Sequence, residues 1–307
     1  MPTTRCADDR APLVLHHRAT EAEAGSTDGG DEEGTAGTTT STAPEASGTF
    51  TSLTYNVAGL PAGINPDQFP EEHQPLISPL LNAYDVVVVQ EDFGTYTDVL
   101  RSEADHEFMS EPHPGPQVLN PIGRAEAAVG DGLNVLSRLP IGPLERVPWT
   151  GCGPASGDCL ALKGFARTTL ELDEGVSVEL YTLHVEAGRD DTALRGEDMD
   201  QLAAHLATIP DRAVIIGGDW NLGYADEPDG EQLRGFLEQT GTSDVCDVVD
   251  CGADADIIDR FVFRSGDDVT LTPTSHAFER ETFVDTVGRP LSDHDPLAVE
   301  WSWTAAG

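Results

Sequence analysis

Hydrophobic positions over residues 50–303 form short runs that predict a fold rich in strands. Val176–Thr182 alternates apolar and polar side chains, which is typical of a strand with one solvated face. Val86–Val89 and Val214–Ile216 are continuous β-branched runs, so they predict strands that are buried on both faces. The complete set of predicted strands is Phe50–Asn56, Asp85–Gln90, Leu133–Ser137, Phe165–Leu172, Val176–His184, Ala213–Gly217, Ile258–Arg264 and Leu297–Trp303.

Two segments between these strands predict helices. One lies at Pro75–Ala83. The other spans Asp191–Ile209, where apolar residues recur at approximately helical spacing until Pro210 ends the pattern. Because helices lie between some of the strands, the pattern predicts an α/β protein that is built around two sheets.

Residues 1–48 differ in composition from the rest of the chain. Gly25–Ser47 contains Gly, Ser, Thr and acidic residues but no large apolar residue, so it cannot bury enough surface to offset its ordering entropy. The sequence therefore predicts a disordered, acidic N-terminal segment over 1–48 and a single folded domain over 49–307. Cys6 is a candidate for lipid attachment, but no apolar signal-peptide core precedes it, and a plain free thiol is the alternative.

The charge of the chain narrows the classes of function. Its 55 acidic and 17 basic residues give a formal net charge of −38, and most of that charge lies beyond residue 48. We do not expect such a protein to bind nucleic acid mainly through a basic face, because affinity for a polyanion comes largely from Lys and Arg side chains. Hydrophobic residues make up 38% of the chain without forming a run of membrane-spanning length, so we expect a folded domain that does not cross a membrane.

Four cysteines form two pairs that are close in sequence, Cys152 with Cys159 and Cys246 with Cys251. Neither spacing is the Cys-x-x-Cys spacing of zinc sites. Two short-loop disulfides fit better and imply an oxidising, extracytoplasmic compartment, whereas four buried thiols are the alternative.

Polar side chains follow the ends of several predicted strands. Asn56, Glu91, His184 and Asp219 all lie at or just beyond such an end. Rigid scaffolds commonly present functional groups at these positions. Carboxylate and amide oxygens suit hard cations, and histidines beside them can transfer protons near neutral pH. The combination predicts metal-assisted phosphoryl chemistry.

Six short motifs that contain these and similar polar residues follow one another along the chain. They are Thr54-Tyr55-Asn56-Val57, Val89-Gln90-Glu91, Thr182-Leu183-His184, Gly218-Asp219-Trp220-Asn221, Ile258-Asp259-Arg260-Phe261 and Ser292-Asp293-His294-Asp295-Pro296. In this order the motifs resemble those of the endonuclease/exonuclease/phosphatase superfamily, whose fold is that of the pancreatic-type deoxyribonucleases. The resemblance implies a four-layered α/β sandwich, in which two central, mainly antiparallel sheets are flanked by helices and the site lies at one end between the sheets.

The resemblance implies a metal site. Glu91 would be the principal metal-binding carboxylate, with Asn56 beside it and Asp293 nearby. The implied ion is Mg²⁺, with Mn²⁺, Ca²⁺ or Co²⁺ as alternatives.

The resemblance also implies catalytic roles. His294 would be the general base and would pair with Asp259, for which Asp256 is the alternative if the alignment of this strand is shifted. His184 would stabilise the phosphate oxygens and assist the leaving group. Asp219 and Asn221 would orient the phosphate and the attacking water, or hold a second metal.

One further segment resembles a subgroup of the superfamily. Residues 158–165, Asp-Cys-Leu-Ala-Leu-Lys-Gly-Phe, are similar to a segment of the secreted bacterial sphingomyelinases, and Lys163, the only lysine of the chain, falls on the lysine of that segment. Lys163 is thereby implied to bind substrate, with an ordinary loop-to-strand residue as the alternative.

These observations together predict a secreted or lipid-anchored, monomeric, metal-dependent phosphoric diester hydrolase that resembles the sphingomyelinases and acts on a phospholipid headgroup. A nuclease or a phosphatase of the same fold, with nucleic acid or a small phosphorylated molecule as its substrate, is the alternative enzyme. A catalytically inactive binding module is the alternative of a different class.

Sphingomyelinases of this kind approach bilayers through exposed aromatic side chains on a hairpin. The candidates for such peripheral membrane contact here are Phe278, Phe283 and Trp149, since aromatic residues suit the membrane interface. The charged residues 279–281 between the two phenylalanines favour a plain surface loop instead.

Overall fold

The computed structural model describes residues 46–61, 63, 65, 68–113, 127–154 and 157–306, so Cys6 and nearly all of the predicted N-terminal segment lie outside the described residues. The helices of the described part are α1 (Pro70–Leu80), α2 (Thr97–Leu100), α3 (Thr192–Leu206) and α4 (Asp229–Thr240). Its strands are β1 (Ser47–Asn56), β2 (Val86–Gln90), β3 (Phe108–Met109), β4 (Asn134–Ser137), β5 (Glu145–Pro148), β6 (Gly164–Asp173), β7 (Val176–His184), β8 (Val214–Asp219), β9 (Ser243–Asp244), β10 (Asp259–Arg264), β11 (Val269–Phe278) and β12 (Leu297–Ala305).

Two six-stranded sheets form the centre of the domain. The first sheet has the order β11-β12-β1-β2-β4-β3 and the second the order β5-β6-β7-β8-β10-β9. Only β1 with β2 and β7 with β8 pair in parallel among the described strands, and every other neighbouring pair is antiparallel. Since parallel neighbours need a crossover connection, α1 lies between the strands of the first pair and α3 between those of the second. The predicted pair of mainly antiparallel sheets is confirmed.

Three apolar clusters make the layers of the sandwich. One cluster fills the space between the sheets, a second packs α3 and α4 on the outer face of the second sheet, and a third packs α1 and α2 on the outer face of the first. The continuous valine run of β2 is explained by the position of this strand between two apolar clusters. Val86 and Val88 face the central cluster, while Val87 and Val89 face the helices. Both faces of this strand are therefore buried, as the sequence predicts.

The sequence prediction omits six elements that the structure contains, α2, α4, β3, β5, β9 and β11, and it places the start of α1 differently. α1 begins at Pro70 rather than Pro75, because a proline fits the first turn of a helix, where its missing N–H costs nothing. α4 was not predicted, since its buried face is limited to a few residues such as Leu233 and Phe236. β11 was also missed. Pro273 weakens its strand pattern, but β11 is an edge strand with an irregular register at that proline, where proline is tolerated.

Both predicted disulfides are present. Cys152 bonds to Cys159, and Cys246 bonds to Cys251. Among the described residues, no helix combines the length and the apolar character that crossing a membrane requires.

Candidate active site

The two parallel strand pairs bring the predicted polar residues to one end of the sandwich. In the first sheet, Asn56 of β1 lies opposite Gln90 of β2, so Glu91 follows directly at the same edge. In the second sheet, His184 of β7 lies opposite Asp219 of β8. Because parallel strands end at the same edge of a sheet, both pairs of functional side chains are fixed by strand register.

Asn56 connects the two sheets through its side-chain amide. Its Nδ2 donates to Glu91 Oε1 at 3.3 Å and to Asp219 Oδ2 at 3.2 Å. Its Oδ1 accepts the backbone N–H of Ala58 at 3.1 Å, which fixes the orientation of the amide. Just below, the buried Gln90 donates to Thr54 of β1 and to Thr182 of β7 and so joins the sheets a second time.

Three non-glycine residues of the site have a left-handed backbone. The φ angles are 48° for Ala58, 57° for Glu91 and 49° for Asn221. Such conformations cost roughly 1–3 kcal/mol each and are found mainly at functional sites. Asn221 is held in place because its N–H bonds to Asp219 Oδ1 at 3.1 Å and its Nδ2 donates to the Val185 carbonyl at 3.0 Å.

His294 and Asp259 form a close pair beside Asp219. Asp259 starts β10 and lies opposite Asp219 across the antiparallel pairing of β10 with β8. The Nδ1 of His294 is 2.7 Å from Asp259 Oδ2, and its Nε2 is 3.6 Å from Asp219 Oδ2. The alternative partner Asp256 instead accepts the backbone N–H of Ala225. The structure thus brings together the residues of the proposed general base.

The loop that carries His294 is anchored to β1. Ser292 Oγ donates to the Asn56 carbonyl at 2.7 Å and accepts the His294 N–H at 3.2 Å. Sequence analysis assigned no role to Ser292. The hydroxyl is 236 residues away from Asn56 along the chain, so only the folded structure reveals its contact.

His184 is almost completely buried on the other side of Asp219. Its Nε2 is 3.2 Å from Asp219 Oδ2, and its carbonyl accepts the indole N–H of Trp149 at 2.8 Å. Its Nδ1 has no hydrogen-bond partner within the described part of the chain. Asp219 therefore lies between two imidazoles and receives the Asn56 amide as well.

These contacts shift the pKa values of the central groups. Burial alone would raise the pKa of Asp219, but the neighbouring His294 and His184 lower it well below its usual range. Burial alone would lower the pKa of His294, but the carboxylates of Asp219 and Asp259 raise it to about 10. The two carboxylates therefore favour the protonated form of His294.

A cavity of about 380 Å³ joins these groups. Lys163 lines it and is 5% exposed, with its Nζ 2.7 Å from Asp158 Oδ1 and 3.3 Å from the Val185 carbonyl. Asp158, the first residue of the segment 158–165, also accepts the Ala187 N–H and so ties Lys163 to the loop after β7. The other predicted site residues on the cavity wall are Glu91, His184, Asp219, Asn221, Asp293 and His294.

Asp293 lies on this wall with an exposed side chain. Its Oδ1 lies 3.4 Å from Ser292 Oγ. The other two predicted metal-binding residues, Glu91 and Asn56, contact each other directly.

Two of the three candidates for membrane contact are wrong. Phe283 is 1% exposed and packs its ring against Tyr55 and Tyr84 beneath the first sheet. Trp149 is also 1% exposed and belongs to the cluster under α3. Neither side chain can reach a bilayer while it is part of the core. Phe278 is half-buried, with the guanidinium of Arg280 over its ring.

Comparison with known proteins gives the family context of this site. No family model matches the chain. Sphingomyelinases of Mycobacterium tuberculosis and Mycobacterium bovis are 34% identical to it over 274 residues, which cover 84% of this chain and 54% of each relative. The chain is a homologue of the mycobacterial sphingomyelinases. It spans about half the length of these curated relatives.

Solved structures show the same fold. An endonuclease/exonuclease/phosphatase family protein from Bacteroides thetaiotaomicron superposes with a TM-score of 0.61 at 12% identity, covering 84% of this chain and 98% of that one. A beta toxin variant from Staphylococcus aureus with bound magnesium ions has a TM-score of 0.60 at 18% identity, with 82% and 99% covered. TDP2 from D. rerio, complexed with a single-strand DNA product, has a TM-score of 0.60 at 19% identity, with 82% and 98% covered. The predicted four-layered α/β sandwich is therefore confirmed.

Proposed function

We propose that this homologue is a metal-dependent phosphodiesterase that hydrolyses sphingomyelin and releases its phosphorylated headgroup. The observation that carries the proposal is that His184, Asp219, Glu91 and His294, which pairs with Asp259, line one cavity. The homology to sphingomyelinases supports the choice of substrate. The two disulfides support an extracytoplasmic location.

The donor atoms at the edge of the first sheet fit a hard dication. Glu91 offers a partly exposed carboxylate on the cavity wall, and its left-handed backbone turns it away from the strand direction. Asn56 adds an amide beside it, and Asp293 adds an exposed carboxylate on the same wall. All of these are oxygen ligands, and Mg²⁺ typically uses one or two carboxylates and keeps several waters. When bound there, the cation would neutralise phosphate charge and lower the pKa of a water molecule.

Residues of the chain would carry out the remaining tasks, which are proton transfer, stabilisation of the phosphate oxygens and positioning of the phosphate. Asp259 holds His294 through Nδ1, which leaves Nε2 directed at the cavity to take a proton from the attacking water once His294 is neutral. His184 and Lys163 line the cavity, where they would donate hydrogen bonds to the phosphate oxygens that become more negative during hydrolysis. Asn221 and Asp219 form a rigid pair that positions the phosphate. These residues need no rearrangement of the sheets to act.

The net charge favours a zwitterionic headgroup over a nucleic acid. Lys163 is the only lysine of the chain, and it is already paired with Asp158. A net charge of −38 repels a long polyanion, whereas a phosphocholine headgroup has no net charge to repel. We therefore expect lipid turnover to exceed DNA turnover.

The proposal is tested with sphingomyelin vesicles and the purified protein. We expect phosphocholine release with Mg²⁺, none after chelation, and a loss of about 10³-fold in kcat for His294→Asn, because general-base catalysis contributes on the order of 10²–10⁴. Asparagine can still donate to Asp259, so the loop should stay folded. His73→Asn is the matched control, since His73 lies on α1 against Phe69.

Two outcomes would contradict this function. Absence of headgroup release with Mg²⁺, Mn²⁺, Ca²⁺ and Co²⁺ would exclude a sphingomyelinase. Faster cleavage of plasmid DNA than of sphingomyelin would favour the nuclease instead.

A further inference from the structure

We propose that Arg280 is a positioning residue that holds the His294 loop in place for catalysis. This inference rests on the proposed function, because it concerns the alignment of the proposed general base. Arg280 lies just after β11, outside every motif that the sequence analysis identified, and it does not line the cavity.

Arg280 joins two carboxylates from different parts of the chain. Its Nε donates to Asp295 Oδ2 at 2.6 Å. Its two terminal nitrogens donate to Asp254 Oδ2 and Oδ1 at 3.1 and 3.0 Å, which is a bidentate pairing. The planar guanidinium is suited to such a fork, and a lysine ammonium could not reproduce it.

The aromatic ring of Phe278 also orients the guanidinium of Arg280. The guanidinium lies 4.6 Å from the centre of the Phe278 ring, and the neighbouring Glu279 N–H bonds to the Pro296 carbonyl at 2.9 Å. The end of β11 is therefore fixed against the start of β12, so Arg280 contacts Asp295 from a rigid base.

Both carboxylates are close to the His294–Asp259 pair in sequence. Asp295 directly follows His294. Asp254 belongs to the short 3₁₀ turn Gly252–Asp256, which comes between Cys251 and the start of β10 at Asp259. The segment 251–259 thus contacts the His294 loop in two ways. Asp259 binds His294 directly, and Asp254 binds Arg280, which in turn binds Asp295.

The solvent exposure of these three side chains limits how much their ion pairs can stabilise the fold. The side chains of Arg280, Asp254 and Asp295 are 41%, 35% and 35% exposed. Ion pairs at this exposure contribute little to global stability because solvent screens them. A small displacement of a catalytic group, in contrast, can reduce a rate by about 10²-fold. We therefore expect Arg280 to matter for turnover more than for folding.

The experiment compares kinetics on a soluble chromogenic phosphodiester with Mg²⁺, which removes any contribution of membrane binding. For Arg280→Gln we expect kcat to fall about 10-fold with KM nearly unchanged, and for Arg280→Lys a smaller fall. Asp254→Asn should give a smaller fall than Arg280→Gln, because Arg280 keeps its contact with Asp295. The double variant should be no worse than Arg280→Gln alone, because Arg280→Gln already removes the contact with Asp254.

Arg289→Gln is the matched control. Arg289 is an arginine of the same connection, and its ion pair with Asp285 is local to residues 285–289. We expect its kcat to equal that of the wild type. An unchanged kcat in Arg280→Gln, or additive losses in the double variant, would overturn the proposal.

A second measurement separates this proposal from the proposed function. Hydrogen–deuterium exchange of residues 291–296 should be faster in Arg280→Gln than in the wild type and unchanged in Arg289→Gln. Equal exchange in all three proteins would show that Arg280 does not hold the loop. A wild type without phosphodiesterase activity would overturn the proposed function, and the exchange result would still decide whether Arg280 restrains this loop.

Discussion

Arg260 illustrates how a residue next to the site can have a purely structural task. It follows Asp259 in β10, and its Nη1 is 2.6 Å from Asp244 Oδ2 with both side chains buried. Its Nη2 donates to the carbonyls of Leu222 and Ile257. Removing one partner of such a buried pair leaves an uncompensated charge, so the arginine fixes the loop after Asn221 rather than binding substrate.

At the same scale, His106 makes stability depend on pH. It is 4% exposed, its Nε2 donates to the Tyr84 carbonyl at 3.0 Å, and its Nδ1 lacks a partner within the described residues. Burial lowers its pKa below the ordinary 6.5. The unfolded chain therefore binds a proton more readily, and the free energy of unfolding contributed by His106 is present above pH 6.5 and is lost as the pH falls below that value.

His106→Gln tests this effect, since glutamine keeps a donor for Tyr84 but does not titrate. We expect the stability advantage of the wild type over the variant to shrink by about 1 kcal/mol between pH 7.5 and 5.5. Urea unfolding at both pH values measures it, and other histidines cancel because both proteins contain them. An advantage that does not change with pH would contradict the assignment.

At the scale of elements, the loop between β5 and β6 forms one wall of the cavity. Gly157, Asp158 and Lys163 of this wall lie within or just after the ring closed by Cys152 and Cys159. The Gly153 N–H bonds to Glu186 Oε2, which also attaches the loop to the chain after β7. The disulfide therefore restrains the Lys163–Asp158 pair on the cavity wall.

Replacing both cysteines of this loop by serine should affect stability and substrate binding together. For Cys152→Ser/Cys159→Ser we expect a loss of about 2 kcal/mol, the entropy of closing a short loop, and a rise in KM of several-fold. Thermal unfolding and steady-state kinetics measure the two effects. The disulfide between Cys246 and Cys251 closes a ring of similar size away from Lys163. The double variant Cys246→Ser/Cys251→Ser should therefore lose stability without the rise in KM. Equal KM values in both double variants would argue against a substrate role for this wall.

On the scale of the whole molecule, the first and the last strand of the folded domain, β1 and β12, pair with each other. Ser47 of β1 lies opposite Thr304 of β12, and the Ala305 N–H bonds to the Ala46 carbonyl. β1 is also an inner strand of the first sheet, between β12 and β2. The strand β1 therefore begins two residues before the predicted domain boundary at 49. The proposal that residues 1–45 are not needed for folding can be tested directly.

Two truncations make that test. A chain that starts at Ala46 should unfold with the same free energy as the full chain, within about 0.5 kcal/mol, because every pairing of β1 is kept. A chain that starts at Phe50 loses the pairings of residues 47–49 with β12 and should be less stable by roughly 2 kcal/mol, at about 1 kcal/mol for each hydrogen bond. Equal destabilisation by both truncations would show that the earlier residues support the domain.

The sequence alone was sufficient for the elements whose pattern is local. The valine run of β2 and the close cysteine pairs each follow from neighbouring residues, and each was predicted correctly. The strand β7 was also predicted correctly, but its predicted solvated face is wrong, because Glu179, Thr182 and His184 are buried by the packing around the second sheet. The resemblance added the order of the motifs, and with it the superfamily and the candidate site residues. Missed elements such as β11 depend on a partner strand that compensates for Pro273.

Only the tertiary structure decided which side chains meet. Asn56 contacts Asp219 across 163 residues, and Ser292 contacts Asn56 across 236, through the packing of two sheets that no local pattern specifies. The same packing buried Phe283 and Trp149, whose aromatic character suggested a membrane surface, and it placed Arg280 between two carboxylates. Hydrophobic periodicity determines which face of a strand is buried, but the contacts across the sandwich depend on how the faces pack together, which is a property of the whole chain.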